Sequence, residues 1–297
     1  MKFQKGLLML LAMLAALGSV SALEVSVDQL LQMMENSDEN LTTYTYTRTA
    51  ESRMLFSNES LHEEFDAVKT TEGKVDIVDQ EGWWGAKLTD RMNQEDLTWE
   101  GYFLNGSEYW KEGLNWTKFM IEDKAGIMDD YNEFPGQVDL LRYSDMSIVG
   151  QEICEGEECY KLTGTPQGPI AEGIIGLQLV ASYFPAPFPL PEELKSRSFD
   201  MEQTELLNNS RIELTAWVSK NTSLLKRLDI NASLAISPEI LGITGSDFMI
   251  ESTLNESTIY QDFGSDVKIE LPKEAQNESI RAEGTDWRWA SFGSVRP

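Results

Sequence analysis

The amino-acid sequence predicts a mainly β protein with a few helices (α+β), in which about ten antiparallel strands form one extended curved sheet or an open barrel. From Thr42 onward the side chains alternate strictly between polar and aromatic types, as in a half-buried strand. Turn signals such as Asn105-Gly106 separate successive strand candidates and are typical of hairpins. Helical periodicity is confined to a few segments, so strands far outnumber helices.

The first predicted element is an amphipathic helix over residues 25–36. It begins near Ser26 or Asp28, which are suitable helix-capping residues. Apolar side chains recur at helical spacing at Val27, Leu30, Leu31 and Met34. We expect this stripe to be buried against the sheet.

The strands follow in antiparallel succession. They are predicted at 42–49, 63–79, 82–92 and 97–104, in hairpins up to residue 120 and over 147–163 and 212–236, and at 248–260 and 267–271. Pro272 ends the last strand, and residues 121–141 are expected to form a short helix and a loop. Since no Ser/Gly-rich linker interrupts the chain, we predict a signal peptide at 1–22, one domain at 23–275 and a C-terminal tail at 276–297.

The first 22 residues have the features of a secretory signal peptide. Lys2 and Lys5 precede an apolar run that ends in small residues, Val20-Ser21-Ala22. The run is shorter than the ~20 residues of a membrane-spanning helix, and no later stretch is long and apolar enough to span. We therefore predict an extracytoplasmic protein, secreted or associated with the cell envelope; an uncleaved N-terminal anchor is the alternative.

The charge balance excludes several classes of partner. The whole chain has a net charge of −26, and without residues 1–22 it carries 22 basic against 50 acidic residues. Nucleic acids and anionic lipid surfaces are bound by clustered Lys and Arg, so neither is an expected partner.

Glycosylation acceptor triplets, Asn-x-Ser or Asn-x-Thr, are unusually frequent. Nine of the thirteen asparagines begin one: Asn40, Asn58, Asn105, Asn115, Asn208, Asn221, Asn231, Asn255 and Asn277. The excess fits an archaeal or eukaryotic cell exterior better than a bacterial periplasm, and the chain is expected to be archaeal. Each glycosylated Asn must face solvent.

The two cysteines, Cys154 and Cys159, bracket Glu-Gly-Glu-Glu. In an exported protein this spacing predicts a disulfide across a tight hairpin turn, with Gly156 supplying backbone freedom. A metal site is the weaker alternative, because two thiols without a nearby His do not complete a tetrahedral shell.

An apolar segment at 169–191, PIAEGIIGLQLVASYFPAPFPLP, interrupts the strands. The residues before its proline cluster suffice for about three helical turns. Two interpretations stay open: a mobile lid over an apolar cavity, or a helix that permanently plugs the open side of the sheet. In the first, the ligand-binding side chains are those of the lid, Ile174, Ile175, Leu177, Leu179, Val180, Tyr183, Phe184 and Phe188, with Leu30, Leu31 and Met34 of the first helix.

Several short pieces of sequence carry a family resemblance. They are 102–110 (YFLNGSEYW) with 116–118 (WTK), 159–163 (CYKLT), 216–225 (AWVSKNTSLL), 260–264 (YQDFG) and 267–275 (VKIELPKEA). Together with the order of the elements, they resemble the LolA-like lipoprotein-carrier superfamily, which includes LppX-type exported lipid-binding proteins. The resemblance implies a curved antiparallel half-barrel whose concave apolar face is partly covered by helices and holds acyl chains. The chain departs from the bacterial carriers in its acidity, its glycosylation triplets and the absence of a lipid-anchor Cys.

The sequence does not favour catalysis. His62 is the only histidine, lies in a polar stretch and is interpreted as a surface residue. No phosphate-binding loop, nucleophile elbow or metal-binding spacing accompanies it, so no enzyme activity, cofactor or metal is predicted. The tryptophans are expected to serve packing more than ligand stacking.

Two functional hypotheses remain. The favoured one is a non-catalytic carrier or sensor that binds a lipid or another apolar ligand in the hollow. The alternative is a glycosylated structural or adhesive surface protein without a ligand cavity. The sequence indicates no protein partner.

Overall fold

The structure is a computed structural model that describes residues 25–58, 62–120, 128, 131–168, 210–237, 247–278 and 280–282. The predicted signal peptide at 1–22 and the apolar segment at 169–191 lie outside the described residues. So do Asn208 and most of the predicted tail.

The described residues form twelve strands and three helices. The strands are β1 (Thr43–Asn58), β2 (His62–Asp76), β3 (Glu81–Asp90), β4 (Glu95–Leu104), β5 (Ser107–Glu112), β6 (Asn115–Met120), β7 (Ser144–Cys154), β8 (Glu157–Pro166), β9 (Ser210–Ser219), β10 (Leu225–Ile236), β11 (Phe248–Gln261) and β12 (Ile280–Ala282). The helices are α1 (Val27–Asp38), α2 (Phe134–Arg142) and α3 (Lys273–Glu278).

All twelve strands belong to one sheet, in the order β12-β6-β5-β4-β3-β2-β1-β11-β10-β9-β8-β7. Two antiparallel meanders, β1 to β6 and β7 to β11, are joined by the long antiparallel pair of β1 and β11. Only the short β12 is parallel to its neighbour, β6. Within the described part of the chain the sheet stays open, with β12 and β7 at its two edges. The predicted fold class is confirmed.

The sheet must curve strongly. Phe103 on β4 contacts Tyr131, and α2, which begins three residues after Tyr131, packs on β7. Eight strand spacings separate β4 from β7. In a flat sheet this separation would be about 38 Å, at roughly 4.8 Å per strand. The two arms therefore bend toward the same side, the inner face, where α1 and α2 lie.

Helix α1 begins two residues later than predicted and ends two later. Ser26 is its N-cap: the Ser26 hydroxyl accepts a hydrogen bond from the Gln29 backbone N–H at 3.2 Å, and the Gln29 side chain accepts one from the Ser26 N–H at 3.0 Å. This reciprocal capping box satisfies two otherwise unpaired donors. Leu30 and Met34 are fully buried, so α1 packs its apolar stripe on the inner face as predicted.

Helix α2 falls within the region predicted to hold a short helix. Pro135 occupies its first turn, where a missing N–H and a fixed φ are tolerated. Its Phe134, Leu140 and Leu141 are fully buried in the same cluster as α1. The Arg142 guanidinium also pairs with Glu35 of α1 at 2.8 Å. The two helices thus form one cap on the inner face.

Replacing Asp38 by Asn is expected to stabilise the protein at pH 7 by about 0.5–1 kcal/mol. Burial, together with the carboxylates of Asp139 and Glu39, raises the pKa of Asp38 to about 6 from 3.8. The folded state therefore binds more protons between these two pH values, and its stability falls as pH rises through this window. Urea unfolding should show the gain at pH 7 and none near pH 3.5; an equal gain at both values would contradict this origin.

Glycines allow three aromatic rings to lie directly on the inner face of the sheet. A Cβ on Gly73 would be 2.0 Å from the Tyr46 ring, and one on Gly101 would be 2.5 Å from the Trp84 ring. Gly82 lies in the same way beneath Tyr131, at 2.4 Å. A ring covering a strand glycine protects the exposed backbone and fixes the local bend of the sheet.

The predicted strand at 267–271 is wrong. Residues 266–272 form no ladder; they cross the outer face of the β4–β6 arm, where Ile269 and Leu271 pack with Tyr102 and Trp116. An extended segment that crosses a sheet also packs every second side chain against it. Alternation at 267–271 therefore did not distinguish such a segment from a strand. The three-residue β12 was not predicted, because it is too short to show a pattern.

The predicted disulfide between Cys154 and Cys159 is absent, since both residues are free, buried thiols. The two-residue turn Glu155-Gly156, with φ of 48° and 80°, is the predicted tight hairpin turn. It pairs Cys154 with Glu157 and Cys159 with Glu152, so the cysteines lie diagonally rather than opposite each other. Burial raises the pKa of both thiols, that of Cys154 to about 12.

Most described glycosylation candidates are exposed. Those exposed are Asn40, Asn105, Asn115, Asn221, Asn231 and Asn255. Asn231 and Asn255 are register partners on the outer face of β10 and β11, whereas Asn58 lies partly buried at the end of β1. The side chain of Asn277 lies outside the described part. Exposure meets the steric requirement for a glycan, but occupancy stays a prediction.

Candidate functional site

The predicted ligand-binding residues of α1 belong to the core in the described part of the chain. Leu30 and Met34 are fully buried and Leu31 is partly buried, all in the cluster that joins α1 and α2 to the sheet. The predicted lid residues, 174–188, lie outside the described residues. Their contact with α1 and their role as a lid therefore stay predictions.

A second apolar cluster covers the inner face of β1 to β4. It consists of Phe65, Ala67, Ala86, Leu88 and Trp99, with Met54, Trp84 and Leu97 at its margin. All of its members lie on strands, so none of the described helices takes part in it. We call it the strand cluster. Its five central side chains are at most 6% exposed, and the partly buried side chains lie at its margin.

Small residues lower the floor of this region. Ser52 of β1 is the register partner of Ala67 of β2, and Ala50 is its diagonal neighbour. Ala86 of β3 is the partner of Thr71, four residues further along β2. All four small residues are buried. Larger side chains, those of Phe65, Leu88 and Trp99, surround them. Small and large side chains thus alternate on this part of the inner face.

A charged group interrupts the apolar inner face between the two clusters. The Arg48 guanidinium on β1 donates from Nη2 to Glu133, which directly precedes α2, and its Nε lies 3.4 Å from Glu256 on β11. Arg48 Nε also donates to the Thr258 hydroxyl at 3.2 Å. The side chains of Arg48, Glu133 and Glu256 are only 14%, 17% and 1% exposed. We call these three residues and Lys69 the polar belt.

Burial dominates the electrostatics of the belt. Burial raises the pKa of Glu133, and Glu256 raises it further, although Arg48 opposes the shift. Burial alone would lower the pKa of Arg48, but Glu133 and Glu256 raise it above its usual value. Arg48 therefore stays charged and holds two carboxylates in a poorly hydrated place.

Lys69 is the fourth charged residue of the belt. It lies on β2 with the inward parity of Ala67 and Thr71, opposite Ala50 on β1 and Leu88 on β3. Burial and then the charge of Arg48 lower the pKa of Lys69 to about 8, while Glu256 opposes this shift. A lysine with a perturbed pKa can belong to a functional site or to a structural charge network.

Two tyrosines, Tyr44 and Tyr260, connect the belt to the helical cap, and Tyr46 packs beside them. The Tyr260 hydroxyl donates to Glu133 at 3.2 Å. The Tyr44 hydroxyl donates to Asn132 at 3.0 Å and accepts from the Phe134 N–H at 3.3 Å. Burial raises the pKa of Tyr44, Tyr46 and Tyr260, so these phenols are neutral hydrogen-bonding groups. The Glu133 loop is thus held on the sheet by an ion pair and by neutral hydrogen bonds.

The tryptophans divide between the two faces of the sheet. Trp84 and Trp110 meet edge to face at 4.9 Å on the inner face, near Trp99 of the strand cluster. Trp116 and Trp217 are buried on the outer face. The outer tryptophans serve packing, whereas the inner ones line the candidate site.

The belt residues were not predicted as site residues, yet the alternation contains a signal for them. Arg48 follows Tyr44 and Tyr46 at the same inward parity, and Ala50 continues it. Lys69 and Glu256 likewise occupy the buried parity of their strands. A charged residue in the buried register of a strand is rare unless it is paired, and it marks a special position.

Other features of the described residues do not point to catalysis. His62 is exposed at the start of β2, in agreement with its interpretation as a surface residue. Within the described ranges, no group of three or more His, Cys, Asp and Glu is arranged to hold a metal ion. None of the helices described there is long and apolar enough to cross a membrane.

A pocket of about 470 Å³ lies where the C-terminal ends of β1 and β10 meet the N-terminal end of β11. Arg53, Glu251 and Thr253 contribute to its lining, and all three have outward parity. Leu55, Leu234 and Ala235 also line it, so its lining is mixed, and it opens mainly on the outer face.

Comparisons with known proteins give similarity in fold only. No family model matches the chain, and no curated protein sequence matches it. Among solved structures, LprF from Mycobacterium bovis is similar over 84% of this chain and 99% of its own, with 17% identity and a TM-score of 0.40. The Mycobacterium tuberculosis lipoprotein LppX is similar over 82% of this chain and 100% of its own, with 13% identity and a TM-score of 0.38.

A LolA superfamily protein from Nitrosomonas europaea is similar over 84% of this chain and 96% of its own, with 8% identity and a TM-score of 0.21. At identities below 20% and TM-scores below 0.5, nothing about ligand or role is carried from these structures to the chain.

Proposed function

We propose that the protein is an exported, non-catalytic carrier or sensor that binds an apolar ligand, such as a lipid or acyl chain, on the inner face of its half-barrel. The observation that carries the proposal is the strand cluster: an apolar concave surface with a low floor, in which no described helix takes part. Each methylene moved from water onto such a surface contributes about 0.8 kcal/mol.

Partial exposure within the inner face supports an incompletely filled hollow. Arg48 and Glu133 keep 14% and 17% of their side chains accessible although both lie on this face. Trp84, Trp110 and Met54 are also only partly buried. A solid core would exclude solvent from all of these positions.

We further propose that the segment at 169–191 acts as a lid over this hollow. Most of its side chains are apolar, and they would cover the strand cluster when no ligand is bound. The signal-peptide pattern and the exposed glycosylation triplets support a location outside the cytoplasm, secreted or at the cell envelope.

Protein purified from its native source should release lipid on extraction with organic solvent, detected by mass spectrometry. After delipidation, the neutral fluorescent probe N-phenyl-1-naphthylamine should bind with increased emission and be displaced by 1-hexadecanol. No released lipid together with no probe binding would reject the carrier function and favour the structural or adhesive alternative.

Replacing Ala67 by Trp is expected to weaken probe binding at least tenfold, because the indole fills the low floor of the strand cluster. The matched control is Val68→Trp, which places the same side chain on the outer face of the same strand. The control should leave probe binding unchanged. Equal binding by both variants, with folding verified by circular dichroism, would place the probe elsewhere.

A further inference from the structure

We infer that the outer-face pocket is a carbohydrate site, and that it holds the first sugars of a glycan carried by Asn255 of the same chain. The inference goes beyond the carrier function and does not depend on it, because the pocket opens mainly on the face opposite the strand cluster. It gives a binding site to an asparagine that is otherwise only a candidate for modification.

The pocket and two glycosylation candidates form one continuous patch on three paired strands. Asn255 of β11 lies between its register partners, Asn231 of β10 and Glu51 of β1. The next two outward rows of the same strands belong to the lining of the pocket. From β10 across β11 to β1 they are Ser233, Thr253 and Arg53, then Ala235, Glu251 and Leu55.

Asn255 is placed on the middle one of the three strands, so its own strand leads directly into the pocket. Thr253, the first lining residue on β11, is two positions away, which is about 7 Å along a strand. Asn255 is exposed. A glycan that leaves it toward the N-terminal end of β11 therefore reaches the pocket with its first sugars. Asn231 lies on a flanking strand, so its glycan would approach from the side.

The lining offers both kinds of contact that a sugar ring requires. Sugar hydroxyls donate and accept hydrogen bonds, whereas the two faces of the ring carry C–H groups. Arg53 supplies donors, the Glu251 carboxylate accepts, and the Ser233 hydroxyl can do both. Leu55 and Ala235 are half-buried and supply apolar surface. The mixed lining therefore fits a carbohydrate.

The size and rigidity of the pocket agree with a bound oligosaccharide. Its volume of about 470 Å³ lies in the usual range of small-molecule sites, about 300–1,000 Å³. Arg53 Nε donates to Glu64 of β2 at 2.6 Å, which holds the guanidinium on the sheet. A ligand tethered to the same chain loses less entropy on docking than a free one. The glycan of Asn255 is therefore favoured over an external sugar.

The test compares variants of the full chain produced in the native host, with glycan occupancy read by mass spectrometry of glycopeptides. Asn255→Gln and Ser257→Ala each destroy the same acceptor triplet. Each should lower the Tm by about 3 °C, because a docked glycan stabilises only the folded state. The same substitutions in protein from a bacterial host without N-glycosylation should leave the Tm unchanged. Asn115→Gln, at an exposed position on β6, is the control and should not lower the Tm.

The stabilisation must also depend on the pocket. Ala235→Trp fills the pocket, so adding Ser257→Ala to this variant should no longer lower the Tm. Glu251→Ala, at an exposed position, is the second pocket variant and decides the matter where Ala235→Trp does not fold. A glycan effect of equal size with and without an intact pocket overturns the inference, and so does a glycosylated Asn255 whose removal leaves the Tm unchanged.

Free sugars distinguish the chain's own glycan from an external carbohydrate. Saturation-transfer NMR of nonglycosylated protein with glucose, galactose, mannose and N-acetylglucosamine reports their binding. If native Asn255 carries no glycan but a sugar binds and Ala235→Trp abolishes this binding, the site takes an external carbohydrate and the tethered source is overturned. If native Asn255 carries no glycan and no sugar binds, the carbohydrate site itself is overturned.

A last measurement separates this site from the proposed carrier function. Ala235→Trp should leave the binding of N-phenyl-1-naphthylamine unchanged, because the probe binds on the inner face. Loss of probe binding in this variant would assign the pocket to the apolar ligand and overturn the inference. Absence of probe binding in the wild-type protein would reject the carrier function and leave the carbohydrate site standing.

Discussion

Arg48→Met is expected to lower the free energy of unfolding by about 3–5 kcal/mol, measured by urea denaturation at pH 7. The substitution keeps much of the side-chain volume but leaves Glu133 and Glu256 on the inner face without their shared cation. A buried carboxylate that loses its partner is strongly destabilising, because neither water nor a counter-charge compensates it.

The loss should depend on pH in a defined direction. Burial already raises the pKa of Glu133, and without Arg48 that pKa should rise further in the folded state, so the folded protein binds more protons. Its stability then falls as pH rises above about 4.5, and the variant should be closer to wild type at pH 4.5 than at pH 8.

The matched control is Arg53→Met, on the same strand but facing outward. Arg53 pairs with Glu64 at 2.6 Å, but its side chain is 64% exposed, so solvent screens the pair and its removal should cost much less than that of Arg48. A triple variant with Arg48→Met, Glu133→Gln and Glu256→Gln should recover part of the stability, since no buried charge remains. If Arg48→Met costs no more than Arg53→Met, the belt is more hydrated than the structure indicates.

Gly73→Ala is expected to destabilise the protein by at least about 1–3 kcal/mol, the usual cost of an overpacked core. The added Cβ would lie 2.0 Å from the Tyr46 ring, which is buried between the Tyr44 and Tyr260 rings. The ring cannot move away without disturbing the cluster beneath α1 and α2. Urea unfolding measures the loss.

Gly150→Ala is the control for this prediction. It also replaces a strand glycine, but no atom lies within 4 Å of the new Cβ, so its effect should be within about 0.5 kcal/mol. The double variant Gly73→Ala with Tyr46→Ala should be less destabilised than the sum of its single changes, because the clash requires both side chains. Additive effects would show that the ring and the glycine do not interact.

Much of the fold could be predicted from the sequence, because the patterns that indicate strands, caps and turns are local. The alternation of β1, the capping residue Ser26 and the glycine turns all depend on residues within a few positions of one another. The same local reasoning produced its errors. The alternating segment at 267–271 was assigned to a strand, although alternation does not identify the surface on which the segment packs.

The candidate site was harder to predict from the sequence, because its residues are distant from one another in the chain. Arg48, Lys69, Glu133 and Glu256 belong to three strands and a loop that are brought together by the pairing of β1 with β2 and β11. The inward parity of each charge was visible, but its ion-pair partner was not. Sequence reasoning therefore predicted an apolar hollow from apolar residues and missed the charged belt.

The sequence by itself determined a mainly antiparallel sheet, an amphipathic first helix and the turns between strands, because periodicity and backbone preferences act over short stretches of chain. Only the tertiary structure decided that β1 pairs with β11, that the sheet bends so that both arms meet α1 and α2, and that Arg48 lies between two carboxylates. These features follow from contacts between residues some two hundred positions apart, whose geometry no local pattern contains.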